Sequence, residues 1–118
     1  MNPQIEDGCV LGNLFSRLTS ADQIPYFLRA YEKLRLSRTA NTQAQSRLNQ
    51  KIFHYPDGPE QEARDASMRA AMKGQTEGSA DQWADKGKNK IQFSYDADES
   101  AEEWWNEVGS KELAASKL

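Results

Sequence analysis

SADQIPYFLRAYEKLRLSRTANTQAQSRLNQKIFH, residues Ser20–His54, decides the fold of this 118-residue chain. The stretch has no glycine, and its one proline, Pro25, falls near the start, where a missing N–H costs little. Ser20 reads as an N-cap, and Gln23 three residues on completes a capping box. Ile24, Phe27, Leu28, Tyr31, Leu34 and, after a gap, Leu48 and Ile52 recur at helical spacing. A helix over 20–54 would run about 50 Å at the usual rise, so a bend, or a break near Thr39–Asn41, is expected.

Within the gap the same face carries Arg38, Asn41 or Thr42, and Gln45. It reads either as a solvated segment bending away from the core or as a polar surface turned toward a ligand, a partner chain or another domain.

Working outward, residues 1–18 read as a first helix. Ile5, Val10, Leu11, Leu14, Phe15 and Leu18 form its apolar face, and Glu6 and Asp7 suit its N-terminal dipole. The short connection through Thr19 and Ser20 predicts an antiparallel helix pair. After His54 the run YPDGPEQ signals a turn. Residues 59–73 read as an alanine-rich satellite helix with Asp57 or Gly58 as cap, Pro59 in its first turn and Gly74 just past its end. In residues 74–118, Ala80–Asp85 reads as a single helical turn anchored by Trp83. Ile91, Phe93 and Tyr95 alternate with polar residues and predict an extended segment across the helices. A last helix starts near Asp98 or Ser100, carries Trp104 and Trp105, and ends near Gly109, with a fraying tail. The fold class is all-α in one helical domain.

Composition narrows the function classes. Hydrophobic residues make up 37% and mean hydropathy is −0.88, so the expected core is modest. A net charge of −3, with both signs intermixed, argues against nucleic acid and anionic membranes as partners. No apolar run approaches the roughly 20 residues of a membrane span, and the first residues lack a signal-peptide pattern. One cysteine, Cys9, excludes an internal disulfide, fits a reducing compartment and reads as a small core residue; the location reads as cytoplasmic. One histidine and one cysteine make no metal site.

Candidate chemistry is sparse. His54, beside Asp57, is a candidate general acid or base, against the plainer reading of a histidine suiting a helix C-terminus. Arg35 and Arg38 read as an anion or carbonyl clamp near Tyr31, extended by Asn41 and Gln45. The alternative is a set of surface pairs such as Glu32 with Arg35. Trp83, Trp104 or Trp105 would wall a pocket, or simply anchor the C-terminal segment. Asp96, Asp98, Glu99, Glu102 and Glu103 cluster where a helix dipole explains them.

Four blocks taken together carry a resemblance: IEDGCVLGNLFSRL, AYEKLRLSRTANTQAQSR, YPDGPEQEARD and WADKGKNKIQFSYDADESAEEWW. In order and spacing they resemble the C-terminal part of flavin-dependent aromatic monooxygenases of the salicylate and para-hydroxybenzoate hydroxylase type, in fungal variants. The resemblance covers Gln4 to about Trp105. It implies that the family's glycine-rich turn beside the isoalloxazine precedes Gln4, and that the helix beginning Ile5–Glu6–Asp7 follows it. No G-x-G-x-x-G fingerprint occurs here. The resemblance therefore implies a monooxygenase-like chain without its own FAD site, holding FAD only if a partner or a dimer supplies the site. One expected function is a cofactor-independent cyclase or isomerase of secondary-metabolite biosynthesis. It would act on an apolar small molecule with Arg38, Tyr31, Gln45 and His54 as catalytic groups and Asn41, Arg35, Trp83 and Trp104 around the substrate. The alternatives are a fragment that needs the missing flavin domain and a non-catalytic interaction module. A homodimer, or pairing with another chain, is expected from exposed apolar surface.

Overall fold

The structure, a computed structural model, describes residues 3–75, 79 and 85–116. Among them the architecture is all-α, and no helix is long and apolar enough to cross a membrane. The elements are α1 (Pro3–Phe15), a 3₁₀ turn (Ala21–Gln23), α2 (Ile24–Phe53), α3 (Pro59–Met72), α4 (Lys86–Phe93), α5 (Ala97–Trp104), a π-helical turn (Trp105–Gly109) and α6 (Ser110–Ser116). The chain divides into two compact units: residues 3–41 with 96–116, and the described part of 42–95.

The first unit holds the clearer core. Val10, Leu14 and Phe27 are fully buried, joined by Ala30, Ala97, Ala101 and Leu113. Glu6, Val10 and Leu14 recur every fourth residue along α1, so they share one face of that helix. Full burial of a side chain such as Phe27 stabilises by about 1.5–3 kcal/mol. Leu28, expected on the apolar stripe of α2, is 43% exposed, whereas Ala30 and Arg35 are buried. The buried stripe is thus rotated toward residues 27, 30 and 35. α1 lies closest to α5, whose Ala97 and Ala101 are small enough to permit close packing.

The entry into α2 differs in detail from a capping box. Ser20 Oγ accepts from Asp22 N at 3.2 Å, and Gln23 reaches back to Thr19 instead of Ser20. Its carbonyl accepts from Thr19 N and its amide donates to Thr19 Oγ1, both at 2.9 Å, so the motif is displaced by one residue. α2 then runs unbroken for 30 residues, and the expected break near Thr39–Asn41 does not occur. The division between units falls after Asn41.

In the second unit, Arg64 Nη1 donates to the Ile52 carbonyl at 3.0 Å, satisfying one of the orphan acceptors at the end of α2. α3 starts at Pro59 with Gly58 before it. It ends in a Schellman motif: Gln75 N donates to Ala70 O and Gly74 N to Ala71 O, both at 3.1 Å. Gly74, at φ 96°, adopts the left-handed conformation this motif requires. α3 buries none of its residues completely, in keeping with its alanine content.

Three further expectations are corrected. Ile91 and Phe93 lie in helix α4, not in an extended segment. Asp85 caps that helix by accepting from Lys88 N at 3.1 Å, and three alternating apolar residues with no strand partner do not outweigh a capped turn. The C-terminal helix does not stop at Gly109. Asp96 caps α5, accepting from Glu99 N at 3.0 Å, and the chain passes through the π turn into α6 with Leu113 buried. Cys9 is exposed, not a core residue. The expected turn with Trp83 falls on residues 80–84, outside the described residues.

At the π turn a Cβ on Gly109 would meet Trp104 Cζ3 at 2.5 Å and Trp105 Cε3 at 3.0 Å. By contrast, a Cβ on Gly12, in α1, would meet nothing within 4 Å. Gly109→Ala should lower stability by about 1–3 kcal/mol through overpacking, and Gly12→Ala should raise it by up to about 1 kcal/mol. Thermal denaturation of the two variants checks the contrast.

Candidate functional site

The first unit concentrates its buried charge where the start of α1 meets α2. Glu6 and the Arg35 side chain are each only 3% exposed, Arg38 15% and Asp7 27%. Arg35 Nε donates to Asp7 Oδ1 at 2.6 Å, and its Nη2 donates to Glu6 Oε2 at 2.9 Å and to the Pro3 carbonyl at 3.3 Å. Arg38 grips the same carboxylate in a fork, Nε to Oε2 at 2.8 Å and Nη2 to Oε1 at 3.0 Å. Two guanidinium groups and two carboxylates balance, and bidentate charge-assisted bonds of this kind are the strong ones. The hydrogen bond from Arg38, helped by Arg35, holds the Glu6 carboxyl below the usual carboxylate range against the opposing effect of burial. A cluster of this kind anchors α1 on α2. It also fixes the pair as antiparallel, since residue 6 meets residues 35 and 38 while the turn joins the other ends.

Toward the start of α2 the aromatic residues gather. The Tyr26 and Trp104 rings lie 6.0 Å apart, Phe27 stacks on Trp105 at 5.9 Å, and Arg17 lies 5.0 Å above the Trp105 ring while pairing with Glu102. The Tyr26 hydroxyl donates to Glu112 at 2.8 Å. Burial first, then the carboxylate, pushes its pKa up to about 12. Tyr26 and Trp104 edge an open groove of about 460 Å³, which Arg29, Ala30, Glu32, Lys33, Leu36 and Glu112 also line.

The residues singled out in the sequence are divided between the two units. Arg35 and Arg38 come together, but on Glu6 and Asp7. Tyr31 is half-buried on α2, Asn41 is exposed, and Trp104 stands at the groove. Gln45 and His54 belong to the other unit. Among the described residues, Gln45 Oε1 is buried without a hydrogen-bond partner, as is Asn49 Oδ1 one turn on. His54 is exposed at the end of α2, where Nδ1 lies 2.7 Å from the Gln50 carbonyl oxygen, a hydrogen bond to its own helix. Trp83 lies outside the described residues. Glu6 is the residue that sequence reasoning missed, having assigned it to the helix dipole. The available signal was its place in the i, i+4 stripe with Val10 and Leu14, since an acid on a buried face demands cations opposite.

Comparison with known proteins finds no matching family model. The chain is 36% identical over 96 residues to an FAD-dependent monooxygenase of Beauveria bassiana, covering 81% of this chain and 22% of the relative. It is 46% identical over 71 residues to a 3-amino-4-hydroxybenzoate 2-monooxygenase of Streptomyces platensis, covering 59% and 17%. A protein of the same description from Streptomyces cremeus is 49% identical over 45 residues. The chain is therefore homologous to a segment of an FAD-dependent monooxygenase and of 3-amino-4-hydroxybenzoate 2-monooxygenases, and spans about a fifth of the length of the first two relatives.

FAD needs a glycine-rich turn that brings backbone N–H groups against its pyrophosphate. Among the described residues the glycines with positive φ, Gly58 and Gly74, stand singly at the two ends of α3, and Gly8 and Gly12 lie within α1. The first turn of α1 carries one acid, Glu6, paired with Arg35 and Arg38. Among the described residues no glycine-rich turn of that kind occurs.

Removing one partner of a buried pair leaves an uncompensated charge, so Glu6→Gln should cost about 3 kcal/mol near neutral pH. Because the folded carboxyl titrates below its unfolded value, the stabilisation is complete above the ordinary carboxylate range and is lost as pH falls through the lowered folded value. Thermal unfolding of both proteins against pH should show a gap that is constant at neutral pH and closes toward acid.

Proposed function

We propose that this chain is the helical segment of an FAD-dependent aromatic monooxygenase of secondary-metabolite biosynthesis, and that it takes part in catalysis only together with the flavin-binding part. The observation that carries this is the match itself: 36–46% identity over a segment amounting to 17–22% of monooxygenases whose cofactor the described residues of this chain do not cradle. On this reading the chain supplies scaffold. Glu6, Arg35 and Arg38 fix the start of α1, the helix that by resemblance follows the flavin's glycine-rich turn. The names of the Streptomyces relatives point to a substituted hydroxybenzoate as the class of substrate for the assembled enzyme.

A cofactor-free cyclase or isomerase would need an enclosed pocket with convergent polar groups. The groove at Tyr26 and Trp104 is open, mixed in charge, and lined by none of Arg38, Tyr31, Gln45 or His54, so that groove does not favour the cyclase reading.

The purified chain, incubated with FAD and desalted, should remain colourless. Mixed or fused with the flavin-binding part of such a monooxygenase, it should retain the yellow flavin band and hydroxylate an aromatic acid. A flavin band on the chain alone, or an active flavin-binding part that does not need this chain, would overturn the proposal.

A further inference from the structure

The groove face of α2 carries a pattern that the scaffold role does not use. Arg29, Glu32, Lys33 and Leu36 follow one another at helical spacing, all four are exposed, and Leu36 is 61% exposed. Among the described residues none of the three charged side chains makes an ion pair, whereas Arg17, Arg35, Arg38 and Arg64 all do. Helix-surface charges are commonly solvated singly, but here they flank an apolar residue beside an aromatic wall.

We propose that this face docks a second copy of the chain, antiparallel, about a two-fold axis passing between Glu32 and Lys33. In that register Glu32 lies opposite the partner's Lys33, and Lys33 opposite the partner's Glu32. Arg29 lies opposite the partner's Leu36, so that its aliphatic stem covers the leucine and its guanidinium reaches the partner's Glu32. The axis repeats each contact, as an isologous interface requires. The order of charges is what selects this occupant. A stripe of one sign would repel its own copy, while Arg29–Glu32–Lys33 reversed on itself brings unlike charges together. The same mixed lining, with Glu32 and Glu112 facing two cations, is poorly matched to a small ion of either sign. The contact patch is small, so the dimer is weak and transient. The inference uses only the unit of residues 3–41 with 96–116 and does not depend on the flavin reading.

Sedimentation equilibrium of the 118-residue chain over a range of concentrations tests it. The chain should dimerise reversibly, and added salt should weaken the dimer. Glu32→Lys and Lys33→Glu should each raise the dissociation constant by about tenfold or more, because each places like charges opposite one another. The double variant carrying both changes should regain most of the affinity, since the swapped pattern is again self-complementary. Circular dichroism of each variant should match the parent, as the residues are exposed. A chain that stays monomeric, single variants that dimerise as the parent does, or a double variant as impaired as the singles would each overturn the proposal.

Discussion

Glu6 sits almost out of solvent between two guanidinium groups, and the seat of α1 on α2 depends on it. A buried carboxylate is tolerable only with cations and hydrogen bonds to offset its lost hydration. Arg35 and Arg38, one turn apart on α2, supply both, and Asp7 balances the second positive charge. Apolar packing at Val10, Leu14 and Phe27 drives the helices together, but it is non-directional. The forked bonds on Glu6 fix which part of α1 meets which part of α2. This is why the polar middle of α2 begins where it does: Arg38 belongs to the cluster, and Asn41 beyond it is exposed.

The helices themselves were legible because their signals are local. Pro59 and Gly74 bracket α3 as punctuation, and the 3.6-residue period marks α1 and α2. What the sequence hid depends on long-range context. Glu6 looks like a dipole-favoured acid until the arginines 29 and 32 positions away are seen to face it. Ile91 and Phe93 look like a strand because alternation ignores capping, and Asp85 caps a helix that contains them. Gly109 looks like a stop because glycine ends many helices. Here it is kept by its lack of a side chain, since Trp104 and Trp105 crowd the position where a Cβ would stand. Of the candidate site, the pairing of Arg35 with Arg38 at one location was legible; the identity of their counter-charge was not.

The arginines that suggested an anion clamp already hold carboxylates, His54 hydrogen-bonds the backbone of its own helix, and the open groove is mixed in charge. The described part of the chain is rich in structural ion pairs and poor in convergent chemistry. The scaffold role proposed above is consistent with that poverty, since a scaffold element needs rigid seating more than reactive groups.

The most direct test of this account is a double-mutant cycle on Glu6 and Arg38, with Glu6→Gln, Arg38→Gln and both changes together measured by chemical denaturation near neutral pH. If the arginine is spent on holding α1, the two changes should be strongly non-additive, with a coupling of about 1–3 kcal/mol. Additive effects, with Arg38→Gln leaving stability unchanged, would contradict the account and return Arg38 to the pool of groups free for a ligand.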